Sequence, residues 1–160
     1  MRGTSATTFA PNGTLTRAMF LTILYRMAGE PAVGLSQGFT DVADGQWYSD
    51  AVAWAIQNGI VQGLGNNRFA PETAISREQI AVLLYRYAVL MGYPNVMPGQ
   101  ALDTIFSDYY LVSDWAEDAM AWAVANRFIV GFAGKCMPQN EATRAECAAL
   151  LSRFISHYAG

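Results

Sequence analysis

A chain of 160 residues, 52% of them hydrophobic and only 14% charged, has enough apolar material for one compact domain or a short repeat array, which excludes a disordered tail. Thirteen acidic residues outnumber ten basic ones, for a net charge of −3 with no basic run, so there is no electrostatic footprint for a nucleic-acid partner. Apolar runs such as 80–84 and 148–151 are far shorter than the roughly 20 residues that span a bilayer, and His157 with Cys136 and Cys147 makes up neither a zinc site nor a histidine-based hydrolase triad, so no cofactor is expected.

In chain order, Met1-Arg2-Gly3-Thr4-Ser5 has no apolar stretch behind it, so no secretory signal is expected within these residues. Phe9-Ala10-Pro11 then precedes Thr16-Arg17, which opens an apolar helical pattern running to Leu24-Tyr25-Arg26. After a stretch rich in glycine and proline come Phe39-Thr40-Asp41, Trp47, Asp50-Ala51, Ala53-Trp54-Ala55 and Asn58. Trp47, Ala51, Trp54, Ala55 and Asn58 share one helical stripe, and Asn58-Gly59 is a helix stop. Gly63-Leu64-Gly65-Asn66-Asn67 reads as a turn, too short for a nucleotide-binding loop, although 59–69 has room for a short extended piece. The opening motif returns as Phe69-Ala70-Pro71, Ser76-Arg77 and Leu84-Tyr85-Arg86. The second block returns as Phe106-Ser107-Asp108, Trp115, Asp118-Ala119, Ala121-Trp122-Ala123 and Asn126. Cys136-Met137-Pro138, Thr143-Arg144 and Leu151-Ser152-Arg153 complete a third copy of the opening motif.

Each repeat therefore predicts helix, glycine-containing loop, helix, an all-α fold. Met1-Arg2-Gly3 aligns with Val61-Gln62-Gly63, so the first repeat is expected to be incomplete: either the parent protein extends upstream or the product starts at an internal methionine. Residues 1–29 are then the second half of repeat 1, 39–93 are repeat 2 and 106–160 are repeat 3, with linkers at 30–38 and 94–105. The second helix of each starts at Thr16, Ser76 or Thr143, and Ser76 with Gln79 and Thr143 with Glu146 have capping-box spacing.

Phe39-Thr40-Asp41-Val42, Trp47-Tyr48, Gly59-Ile60, Gly63, Gly65, Phe69, Pro71 and Ser76-Arg77-Glu78-Gln79 together resemble the S-layer homology (SLH) repeat. Departures from its pattern include Tyr109 for valine, Ala116 for tyrosine, Arg127 for glycine, Cys136 for phenylalanine and Met19 at the acidic position. The resemblance implies a pseudo-threefold helical spindle and a non-catalytic, extracellular module at the cell wall or S-layer of Gram-positive bacteria. Its partner would be secondary cell-wall polysaccharide linked to peptidoglycan, often pyruvylated and so anionic.

The residues carry a chemical argument of their own. Arg17, Arg77 and Arg144 sit at the first helical position, where the helix dipole disfavours a cation by roughly 0.3–1 kcal/mol. A guanidinium beside unpaired helix N–H groups would hold a carboxylate, with the hydroxyls of Thr16, Ser76 and Thr143 assisting. The alternative is an ion pair to Glu78, Glu146, Asp41 or Asp108. Trp47 and Trp115 either stack on a sugar or lie in the core, with burial the first expectation from helical spacing. Trp54 and Trp122 belong in the core, and grooves between repeats would combine the arginines with Trp47, Trp115, Asp41 and Asp108.

Asp41, Asp44 and Asp50 lack the spacing of a calcium loop. Cys136 and Cys147 replace the apolar pairs Phe9 with Phe20 and Phe69 with Ile80, which leaves either a disulfide suited to an oxidising exterior or two buried thiols. A self-association module without glycan binding is the alternative function, and the incomplete first repeat offers a surface for a homo-oligomer.

Overall fold

The computed structural model describes residues 10–34, 38–94 and 101–159. Among them are five α-helices, α1 (Arg17–Met27), α2 (Ser49–Gln57), α3 (Arg77–Leu90), α4 (Glu117–Ala125) and α5 (Arg144–Tyr158), and three single 3₁₀ turns before α4. There is no strand among the described residues, only isolated bridges, so the fold is all-α as the repeats predict. The extended piece allowed within 59–69 does not form. Part of linker 30–38, part of linker 94–105 and Phe9 lie outside the described residues.

The helices begin where the sequence places them. Ser76 and Thr143 close reciprocal capping boxes with Gln79 and Glu146, whereas Thr16 caps Met19 without a return bond, because methionine has no side-chain acceptor to offer. α2 and α4 stop alike: the Asn58 and Asn126 side-chain amides each donate to the carbonyl four residues back, Trp54 or Trp122, at 2.8 Å. The next residue in each case, Gly59 or Arg127, turns into the left-handed region with φ of 69° or 59°.

The chain divides into two compact units, residues 15–75 and residues 76–160 with 1–14. They do not coincide with the repeat-sized blocks expected from the sequence, since α1 packs on α2 in the first unit and α3 on α4 in the second. Within 15–75, α1 lies on α2, with Ala51 and Ala55 buried and Tyr25 tilted against Trp54 at 5.6 Å. Small alanine side chains let the helices approach closely. Within 76–160, α3 lies on α4 with Ala119 and Ala123 buried. Trp122 meets Tyr85 and Phe128 edge to face, and Phe128 meets Phe154.

Candidate functional site

One local arrangement occurs twice. In residues 15–75, Asp41 Oδ1 accepts from Phe69 N at 2.9 Å and Asp41 Oδ2 from Ala70 N at 2.8 Å. On the other side of the same peptide segment, Arg17 Nε donates to Phe69 O at 2.9 Å, and its Cζ sits 4.9 Å from the centre of the Phe69 ring. In residues 76–160, Asp108 accepts from Cys136 N and Met137 N, both at 2.8 Å, while Arg77 Nε donates to Cys136 O at 3.0 Å. Ala70 and Met137 are thereby held at φ of 56° and 50°, a conformation that costs a residue with a Cβ about 1–2 kcal/mol. Both aspartates are committed to the backbone of the loop. Burial pushes their carboxyls up, but the N–H bonds from residues 69–70 and 136–137 outweigh it and hold each below its ordinary value.

The arginines differ in what neutralises them. Burial lowers the pKa of Arg17, opposed by the field of Asp41. No acid lies within ion-pair distance of Arg17 among the described residues, although the residue as a whole is 94% buried. Arg77 instead pairs through Nη1 with Glu146 Oε1 at 3.2 Å and donates through Nη2 to Val130 O at 3.1 Å. Its helix neighbour Glu78 turns away, accepting from Ser113 N and Oγ at 2.9 Å. Arg144 is buried at the start of α5.

Three expectations need correction. First, the helix N-termini offer no unpaired N–H groups at their first residues. Arg17 N and Ala18 N donate to Thr73 O and Pro71 O, Arg77 N and Glu78 N to Asn140 O and Pro138 O, and Arg144 N and Ala145 N to Gly13 O and Pro11 O. The third N–H goes to the cap hydroxyl of Thr16, Ser76 or Thr143, so an anion would meet guanidinium and not helix backbone. Second, Trp47 and Trp115 are 55% and 58% exposed, because α2 and α4 start only at Ser49 and Glu117 and the helical stripe does not reach back to them. Trp54 and Trp122 are buried as expected. Third, Cys136 and Cys147 are separate buried thiols, not a disulfide. Burial raises both to about 12, and Cys136 Sγ also lies 3.3 Å from Asp108 Oδ1.

Beside Arg77 a cleft of about 150 Å³ opens between the start of α5 and residues 128–130. Ile80, Phe128, Ile129 and Leu150 give it an apolar floor, and Arg77, Glu146 and Arg153 supply its charge. Arg153 donates to Phe128 O at 3.3 Å. Sequence reasoning passed over Arg153 and Val130 as site residues. Arg153 had a signal, as the third of the recurring arginines Arg26, Arg86 and Arg153, whereas Val130 acts through its carbonyl and had none. Among the described residues no group of three His, Cys, Asp or Glu side chains is placed to hold a metal, and no helix is long and apolar enough to cross a membrane.

The S-layer homology domain profile matches residues 38–81 and 105–148, more than half of the chain. The chain is 34% identical to an amylopullulanase of Thermoanaerobacterium thermosulfurigenes over 94% of its own length but 8% of that protein's. It is 32% identical to exoglucanase XynX of Acetivibrio thermocellus, over 94% of the chain and 14% of the relative. With a surface-layer 125 kDa protein of Lysinibacillus sphaericus it shares 31% identity over 98% of the chain and 13% of the relative. The chain thus corresponds to a small part of each of these proteins.

Proposed function

The chain belongs to the S-layer homology domain family, a cell-surface anchoring module, and from that premise we propose that it anchors by binding an anionic, pyruvylated secondary cell-wall polysaccharide. The supporting observation is Arg17. Arg17 is a buried residue whose guanidinium has a ring and one carbonyl for company and no acid in ion-pair range among the described residues, so it lacks a full counter-charge. A carboxylate on the ligand supplies it, through charge-assisted hydrogen bonds worth about 1.5–3 kcal/mol. Arg77 and Arg144 are the equivalent cations, and the exposed faces of Trp47 and Trp115 suit stacking on sugar rings. Thr16, Ser76 and Thr143 act indirectly, as caps that fix the arginine backbones. Asp41 and Asp108 likewise position the loop that carries the Arg17 and Arg77 carbonyl partners. Both are committed to loop N–H groups, which argues against a role for them as general acids and for a module without catalysis of its own. Several weak sites along one polymer give avidity.

The test is co-sedimentation with cell-wall sacculi that retain the polymer, against sacculi stripped of it. Arg17→Ala is expected to weaken polymer-dependent binding about 10- to 100-fold, the equivalent of its charge-assisted bonds. Equal sedimentation with stripped sacculi, or full binding by a folded Arg17→Ala variant, overturns the reading.

A further inference from the structure

We infer that the Arg77 cleft is occupied by the protein's own Glu146, and that Glu146 therefore sets which of the arginine sites accepts an anionic sugar. This rests on the reading that the ligand presents a carboxylate. Glu146 divides its carboxylate between two tasks: Oε2 accepts from Thr143 N at 2.8 Å and closes the capping box of α5, while Oε1 holds Arg77 Nη1 at 3.2 Å. The acid side chain is 45% exposed and the arginine only 11%, so the bridge lies where the buried cation meets solvent and the cleft begins. A ligand carboxylate approaching Arg77 there meets a cation already neutralised, and must displace Oε1 to bind. Position matters here. The residue equivalent to Glu146 is Gln79 in α3 and Met19 in α1, so only one of the three helices carries an acid at this point.

The two tasks are separable, which makes the inference testable. Gln79 closes the same box in α3 with its amide oxygen on Ser76 N, so Glu146→Gln keeps the cap and removes only the charge that competes for Arg77. The probe is a methyl glycoside bearing a 4,6-pyruvate ketal, with its methyl ester as the neutral control, titrated into ¹⁵N-labelled full chain. Shifts of the Val130 and Ala149 amides, both in the cleft lining, report the cleft, and those of Phe69 and Ala70 report Arg17. Glu146→Gln is expected to tighten ketal binding at the cleft at least fivefold over wild type, with no gain for the ester. Adding Arg77→Gln is expected to abolish that gain. Unchanged or weaker cleft binding by Glu146→Gln, with its melting temperature near that of wild type, overturns the inference, because a purely structural glutamate would behave in that way. The Arg17 reporters are judged apart: silence there counts against the proposed function, while a cleft that gains binding in Glu146→Gln still establishes the role of Glu146.

Discussion

The loop clamped by Asp41 and the loop clamped by Asp108 reach one backbone geometry with different side chains. Each aspartate accepts two consecutive N–H groups, each arginine Nε caps the intervening carbonyl, and each preceding helix ends on an asparagine that bonds back four residues. Around that frame, Phe69 gives way to Cys136, Gly59 to Arg127 and Ala70 to Met137. What the two loops preserve is the clamp on one peptide segment, and what varies is how each cation is neutralised. Arg17 leans on the Phe69 ring, whereas Arg77, with Cys136 where Arg17 has Phe69, takes Glu146. A test of the comparison should therefore strike the frame in both loops and show larger losses than a change in the variable positions.

The largest loss is expected on removing a clamp. Asp108→Ala leaves Cys136 N, which is buried, and Met137 N without their acceptor, at a cost of about 2–4 kcal/mol in chemical denaturation. Asp41→Ala should cost less, because the N–H groups it serves are only partly buried. The same bonds predict a pH signature. Both carboxyls sit below their ordinary value in the folded protein, so their stabilisation is fully present above the unfolded carboxyl value of about 3.9 and is lost as pH falls through the lower folded value. Stability should fall below about pH 4 in the wild type, and an Asp41→Asn, Asp108→Asn double variant should show a flatter acid limb. Equal acid sensitivity in the two proteins would break the claim that these carboxylates hold the loops.

A smaller loss follows from crowding. A Cβ on Gly131 would lie 2.2 Å from Phe106 Cε1 and 2.6 Å from Lys135 O, and one on Gly63 would lie 2.6 Å from Phe39 Cε1 and 3.1 Å from Arg68 O. Each glycine lets the phenylalanine at the head of the block press on the loop backbone, and a ring can yield where a carbonyl cannot. Gly131→Ala and Gly63→Ala should each destabilise by about 1–3 kcal/mol, as overpacking does, read from thermal melts. Gly63 also stands at φ 79°, where a Cβ is strained whatever the space, so a neutral Gly63→Ala would overturn the crowding argument for that loop.

How much of this was legible in advance depended on whether a residue acts through its side chain or its backbone. The helix starts at Thr16, Ser76 and Thr143, the stops at Asn58 and Asn126 and the burial of Trp54 and Trp122 all follow from side-chain type and spacing, and the structure has them. Trp47 and Trp115 misled because a helical stripe read from sequence does not say where the helix starts. The left-handed turns at Ala70 and Met137 gave no sign, since alanine and methionine before proline carry none of the cues that glycine would. The carbonyls that satisfy the first N–H groups of α1, α3 and α5 come from loops far along the chain, so nothing local could reveal them. Naming the arginines was within reach of the sequence, but telling the ion-paired Arg77 from Arg17, which has no acid in range among the described residues, required the fold.

The smallest expected effect is a gain. α2 and α4 both end by turning the residue after the asparagine into the left-handed region, and Gly59 does so without a Cβ whereas Arg127 does so with one. At 59° its Cβ crowds the backbone, a cost of about 1–2 kcal/mol that glycine avoids, offset in part by the greater entropy glycine has in the unfolded chain. Arg127 is exposed and forms no ion pair among the described residues, so little else is lost with its side chain. Arg127→Gly should stabilise the protein by about 0.5–1 kcal/mol in denaturant titration, while Gly59→Arg should cost a similar amount. Opposite signs at equivalent positions would locate the difference between the loops in the backbone angle itself. A destabilising Arg127→Gly would instead mean that the third repeat has adapted its packing to the arginine.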